Sequence, residues 1–217
     1  MIEVIPASIA KDCEELKEKI KRVEPYVEWV QFDVIDGKFA NNHSWPYTES
    51  GKNNPEDLKQ LETNLKLEAH LLIKNPELAI DNWINSGVSR IVFHYSSTEK
   101  HQEIIKKVKK AGLEVGLAIN PEIPIEVIDQ YINQLDLVIV MTINPGWSGQ
   151  EFMEDMLGKI EQLREKYKDV NIEVDGGINP ETASKVIQAG ANLLAIGSAI
   201  FESDDIEKTI QALKQND

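Results

Sequence analysis

Short apolar runs alternate with amphipathic stretches from one end of the chain to the other. Residues 2–6, 29–35, 67–73, 90–94, 114–119, 135–142, 171–175 and 193–196 are rich in Val, Ile and Leu and too short for helices, so they predict strands. Between them, apolar positions recur at helical spacing over 11–23, 55–64, 76–86, 99–111, 124–133, 152–167, 180–189 and 205–215. Asn54-Pro55, Asn75-Pro76 and Asn179-Pro180 each set a capping residue before a proline at the first helical position. Gly87, Gly112 and Gly190 follow helices as terminators. Eight strands and eight helices in strict alternation predict parallel pairing with right-handed crossovers, hence a single (β/α)8 TIM-barrel domain over 1–217. An open doubly wound sheet competes, but no Gly-x-Gly-x-x-Gly follows the first strand. The longest irregular stretch, 37–54, follows the second strand; a loop of that length predicts a functional loop or a lid.

Three polar residues interrupt these apolar runs near their ends: Asp33, His70 and Asp175. Alternation groups Gln31 with Asp33, Glu68 with His70, and Glu173 with Asp175 on one face of their strands. Burying a carboxylate or imidazole among aliphatic side chains is costly unless it is paired, hydrogen-bonded or metal-bound. Taken singly, an inward Asp caps a helix or a loop, and an inward His is often a satisfied core residue. Three in equivalent places point to one site at the C-terminal mouth of the barrel. Two carboxylates and an imidazole suit a divalent metal such as zinc, iron or manganese. Two opposed carboxylates also suit removal of a proton from one face of a carbon and delivery to the other.

Glycine clusters where the last three strands end: Asn144-Pro-Gly-Trp-Ser-Gly-Gln150, Gly176-Gly177 and Gly197-Ser198. Loops after the seventh and eighth strands form the common phosphate cradle of barrel enzymes, and glycine lets backbone N–H groups approach phosphate oxygens. The segment Gly146, Trp147, Ser148, Gly149 reads as a flap with Trp147 as an apolar lid. A net charge of −14 without a basic stripe argues against nucleic acid. It does not argue against a small anion held by backbone amides. The lysines of 106–110 read as a solvated helix end. No apolar run approaches the roughly 20 residues that span a membrane. The N-terminus lacks a basic leader, and the lone Cys13 cannot form an internal disulfide, so a cytoplasmic location is expected.

Several blocks, in order along nearly the whole chain, resemble the ribulose-5-phosphate 3-epimerase family. They are Phe32-Asp-Val-Ile-Asp-Gly-Lys-Phe39, Ala69-His-Leu-Leu72, Val115-Gly-Leu-Ala-Ile-Asn-Pro121, Val140-Met-Thr-Ile-Asn-Pro-Gly146, Ile172-Glu-Val-Asp-Gly-Gly-Ile178 and Gly197-Ser-Ala-Ile-Phe201. The resemblance implies inversion at C3 of a ketopentose phosphate, D-ribulose 5-phosphate to D-xylulose 5-phosphate. It implies Asp33 and Asp175 as paired acid and base. It implies a divalent metal, held by both aspartates and two histidines, that stabilises an enediolate; here the set is Asp33, His70 and Asp175, with Gln31 as a weak fourth ligand or a hydrogen-bond partner. Met141, Gly146, Trp147, Ser148, Gly149, Gly176, Gly177, Gly197 and Ser198 are the expected substrate contacts. A homo-oligomer is an expectation of the family alone.

This chain departs from the family pattern in the catalytic half of the site. Gln31 stands where the family has a histidine ligand, and an amide oxygen is the weaker ligand. Pro6-Ala7 replaces Pro-Ser, unless Ser8 takes the serine's place. Ile35 and Leu72 replace methionines, and Phe39-Ala-Asn-Asn42 replaces Phe-Val-Pro-Asn. His43 lies in the loop that follows and is a remote candidate for the missing imidazole. Two alternatives stay open: an epimerase of another ketose phosphate, such as a ketohexose phosphate, and a non-catalytic sugar-phosphate binder. A decarboxylase of the orotidine phosphate type would carry Asp-x-Lys-x-x-Asp, whereas Asp33 is followed by Val34-Ile35-Asp36.

Overall fold

Each of the eight apolar runs forms a strand in the computed structural model, which describes residues 2–48, 54–147 and 149–215. The strands are β1 (Glu3–Ser8), β2 (Trp29–Ile35), β3 (Lys66–Leu72), β4 (Arg90–His94), β5 (Glu114–Ile119), β6 (Leu137–Met141), β7 (Asn171–Asp175) and β8 (Leu193–Ile196). All neighbours pair in parallel, and β8 returns to β1 to close a barrel. Closure leaves no open edge. Alternation divides every strand between two environments. Val30, Phe32, Val34, Ala69 and Leu71 belong to the layer between barrel and helices. Ile5, Trp29, Val92, Ala118, Leu137, Ile139 and Met141 fill the barrel itself. Gly116 makes that filling fit, since a Cβ there would come within 2.9 Å of Leu137 and Val92.

The crossovers are less regular than the alternation predicts. Helices α1 (Cys13–Val23), α2 (Ile80–Ile84), α3 (His101–Lys110), α4 (Met156–Lys166) and α5 (Pro180–Ala189) lie in five of the seven connections between strands, and α6 (Ser198–Phe201) and α7 (Ile206–Lys214) follow β8. After β2 there is only a 3-10 segment, Pro55–Gln60, and after β5 there are two, Ile125–Ile128 and Ile132–Gln134. In the first, Leu58 is the one large aliphatic residue, so little apolar face is available to hold a longer helix. In the second, Ile125, Val127 and Ile128 are β-branched and restrict the helical χ1 choice. The asparagine signals are real at two of three places. Asn179 forms a capping box with Thr182, and Asn54 accepts from the Glu56 N–H. Asn75 instead adopts a left-handed conformation with no side-chain cap. No helix among the described residues is long and apolar enough to cross a membrane.

Candidate active site

Register brings the three strand-end residues together. Asp33 lies opposite His70 across β2 and β3, and Met141 lies opposite Asp175 across β6 and β7. All share the inward parity, so their side chains meet inside the barrel mouth. One donor atom each from Asp33, His70 and Asp175 lies within 4.8 Å of the others. His70 Nδ1 is 3.1 Å from Asp33 Oδ1 and 3.2 Å from Asp175 Oδ2. Gln31, from the same face of β2, is fully buried, and its Nε2 donates to Asp33 Oδ1 and Asp175 Oδ2 at 3.0 Å each. Its Oε1 is buried without a hydrogen-bond partner.

The electrostatics follow from two carboxylates in a dry site. Burial, with the Asp175 charge nearby, raises the Asp33 carboxyl above its ordinary range, although His70 and Gln31 hydrogen bonds oppose it. Burial alone would depress His70, but hydrogen bonds from its ring to Asp175 and Asp33 outweigh that and push it up to about 10. Without a metal, the imidazolium is thus the cation that balances the two carboxylates.

Two residues that the sequence reading does not single out as site residues complete this side of the site. His94, at the inward end of β4, has its Nε2 2.9 Å from His70 Nε2, and its Nδ1 is 2.7 Å from Asn120 Oδ1. Burial and the neighbouring His70 hold His94 well below the usual histidine range. Phe39 covers the His94 ring at a centroid distance of 4.7 Å. The signal was available in principle: His94 occupies on β4 the strand-end position that made the other three conspicuous.

Above the cluster lies a cleft that reaches Asp33 and Asp175. Of the expected substrate contacts, Met141, Gly146, Trp147, Gly149, Gly176, Gly177, Gly197 and Ser198 line it. Ser148 lies outside the described residues. Ile35 and Leu72 form an apolar wall with Ala40, against which Ile9 and Phe39 pack. Ala7 lines the cleft, whereas the Ser8 hydroxyl is buried without a partner on the opposite parity, so Ser8 does not supply the missing serine. His43 is exposed and pairs with Asp36 in an isolated bridge outside the cluster; it does not replace the second imidazole. The loop after β2 packs onto the mouth through Ser44, whose hydroxyl donates to the Asp33 carbonyl and accepts from the Ile35 N–H. Residues 49–53 of that loop lie outside the described residues. Asn42 reaches the flap by donating to the Gly146 carbonyl at 2.8 Å. Trp147 is 57% exposed and stands over the cleft as its apolar rim.

The family model described as the ribulose-phosphate 3-epimerase family matches residues 3–201. The chain belongs to the ribulose-phosphate 3-epimerase family. It is therefore an isomerase that acts on carbohydrate. A ribulose-phosphate 3-epimerase of Schizosaccharomyces pombe is 36% identical over 98% of this chain and 92% of its own length. One from Bacillus subtilis is 36% identical over 99% of both chains. Among solved structures, 3-hexulose-6-phosphate synthase from Salmonella typhimurium superposes with a TM-score of 0.73 at 15% identity, covering 99% of this chain and 98% of that one. The 3-keto-L-gulonate-6-phosphate decarboxylase of Vibrio cholerae gives 0.72 at 15%, covering 99% and 96%. At such identities these two likenesses concern the fold.

Proposed function

We propose that this sugar-phosphate epimerase interconverts D-ribulose 5-phosphate and D-xylulose 5-phosphate by two-aspartate proton transfer. The observation that carries the reading is the pairing of Asp33 and Asp175. They come from separate strands, share the Gln31 amide and the His70 ring, and open onto one cleft. One aspartate removes the C3 proton from one face of the sugar, and the other returns a proton to the opposite face. Burial keeps the Asp33 carboxyl easier to protonate than a free one, which suits a group that must alternate between acid and base. The phosphate rests on backbone N–H groups at Gly177, Gly197 and Ser198, where the α6 N-terminus meets the loop after β7. Met141, Gly146, Trp147, Gly149 and Gly176 shape the rest of the substrate pocket.

The donor set fits a divalent cation such as zinc, iron or manganese. Two carboxylates and an imidazole converge, and the Gln31 amide, which turns Nε2 toward both aspartates, would supply its unpartnered Oε1 as a weak fourth oxygen on flipping. When bound there, the ion supplies positive charge where the substrate oxygens gain negative charge. The deciding experiment is solvent deuterium incorporation at C3 of D-ribulose 5-phosphate, followed by NMR on metal-stripped protein before and after adding Zn²⁺, Mn²⁺ or Fe²⁺. Metal-dependent exchange with appearance of xylulose 5-phosphate is the expected result. Exchange confined to a ketohexose phosphate would move the assignment to that sugar. Stabilisation by sugar phosphates without exchange would make the protein a binder. Asp175→Asn is expected to lose turnover while retaining phosphate-ligand affinity, measured by calorimetry.

A further inference from the structure

We propose that Asn120 and His94 form a hydrogen-bond relay that fixes the tautomer of His70 and turns its Nδ1 lone pair toward a cation between Asp33 and Asp175. The inference rests on the metal-assisted reading above and names the residues that make His70 a ligand.

The direction of the relay follows from its outer end. Asn120 Nδ2 lies 3.2 Å from Glu122 Oε1 and 3.3 Å from Ser96 Oγ. A carboxylate only accepts, so the amide nitrogen must face Glu122, and Oδ1 must face His94. Oδ1 also only accepts, so His94 Nδ1, 2.7 Å away, carries the hydrogen. In a neutral ring the other nitrogen is then a bare acceptor. His70 Nε2, 2.9 Å from it, has to donate. One nitrogen of His70 remains, Nδ1, and it points at both carboxylates. The relay thus runs from β5 through β4 to β3 with each step fixed by the one before.

Its surroundings keep it rigid and dry. His70 and His94 are fully buried, and their rings lie at an interplanar angle of 15°. Phe39 closes over His94 from the loop after β2. Lys159 of α4 donates to the carbonyls of Asn120, Pro121 and Ile123 at 3.1, 2.6 and 2.7 Å, so it ties the end of β5 to the helix layer. Metal-ligating histidines characteristically donate their second N–H to a partner that sets ring orientation and basicity. Here that partner is a second imidazole, whose own tautomer is set by an amide. His94 and Asn120 are positioning residues, since neither reaches the cation site.

Long-range ¹H–¹⁵N NMR of the imidazoles reads the tautomers directly. In zinc-loaded full-length protein, His94 should appear as the Nδ1–H form and His70 as the Nε2–H form with Nδ1 bound. In parallel, zinc affinity is measured by competition with a chromophoric chelator. Asn120→Leu and His94→Phe should weaken it about 10- to 100-fold. Asn120→Asp combined with Glu122→Gln, which keeps an acceptor facing His94 and supplies the donor on the other side from the new amide, should restore it to within a few-fold of the original. Finding His94 as Nε2–H, or unchanged zinc affinity in folded Asn120→Leu protein, would overturn the relay alone. A wild-type protein that takes up no zinc, with no shift at His70, would overturn the metal reading and the relay with it.

Discussion

At the scale of single residues, Gln31 sets this chain's site apart. Its amide donates to both aspartates, so it occupies chemically the place where the family pattern has an imidazole ligand. Gln31→His should tighten zinc binding about tenfold or more, because imidazole is the better ligand and the amide donor is removed. Unchanged affinity in the chelator assay would make Gln31 a bystander. His70 gives a second prediction, for metal-stripped protein. Its folded pKa is raised from 6.5 to about 10 by the two aspartates, against burial. The stabilisation from this pairing is therefore fully present below pH 6.5 and is lost as pH rises through about 10. NMR titration should show an imidazolium that persists to about that pH, with the urea midpoint falling alongside. A ring that loses its proton near 6.5 would sink the assignment. Asp33, His70 and Asp175 were legible in the sequence because charge inside an aliphatic run is conspicuous. Asn120 was not, since Asn-Pro reads as a turn; its bond to His94 exists only once β4 and β5 lie side by side.

At the scale of elements, strands were easier to read than crossovers. A strand inside a barrel is apolar on both faces, and that pattern survives local variation. A crossover needs only to return the chain, so a 3-10 segment serves after β2 and β5 as well as a helix does. Turn geometry after the strands was legible as glycine, but its reason was not. Gly177 sits at φ +66°, and a Cβ there would lie 2.8 Å from the Phe152 backbone. Both the conformation and the contact require glycine, because the chain after the flap packs directly against this turn. Gly177→Ala should cost about 1–3 kcal/mol of stability, the usual magnitude for a strained backbone position. It should also raise KM more than it lowers kcat, since the turn belongs to the proposed phosphate end of the cleft and the aspartates stay in place. Thermal unfolding and steady-state kinetics check the two parts; a lowered kcat at unchanged KM would contradict this division of the cleft.

At the scale of the whole molecule, the barrel separates chemistry at one end from a charged plug at the other. Two residues below His70 and Asp175, Glu68 and Glu173 are fully buried, and Arg90 is nearly so. Arg90 Nη1 donates to Glu68 Oε2 at 2.7 Å, and its guanidinium lies 3.8 Å from the Trp29 ring centroid. Both Glu173 oxygens lack hydrogen-bond partners. Burial and the Glu68 charge raise the Glu173 carboxyl well above its usual range, which favours its neutral form. The main buried ion pair of the plug is Arg90 with Glu68, since Glu173 stands 3.9 Å from Arg90 and Glu114, at 2.7 Å, is 43% exposed and counts for less. Arg90→Met strands the Glu68 carboxylate in the barrel and removes the stacking on Trp29. The expected loss is about 3–5 kcal/mol, as for other broken buried pairs. Replacing Glu68 by Leu in the same chain should recover most of it, because an apolar pair of similar volume needs no compensating charge. The test is urea unfolding of the single and double variants, with kcat measured on the folded fraction. Equal destabilisation of both would show that packing against Trp29 matters more than the pair. A kcat that falls with Arg90 in folded protein would show that the plug's charge reaches the aspartates, and that the two ends of the barrel are not separate.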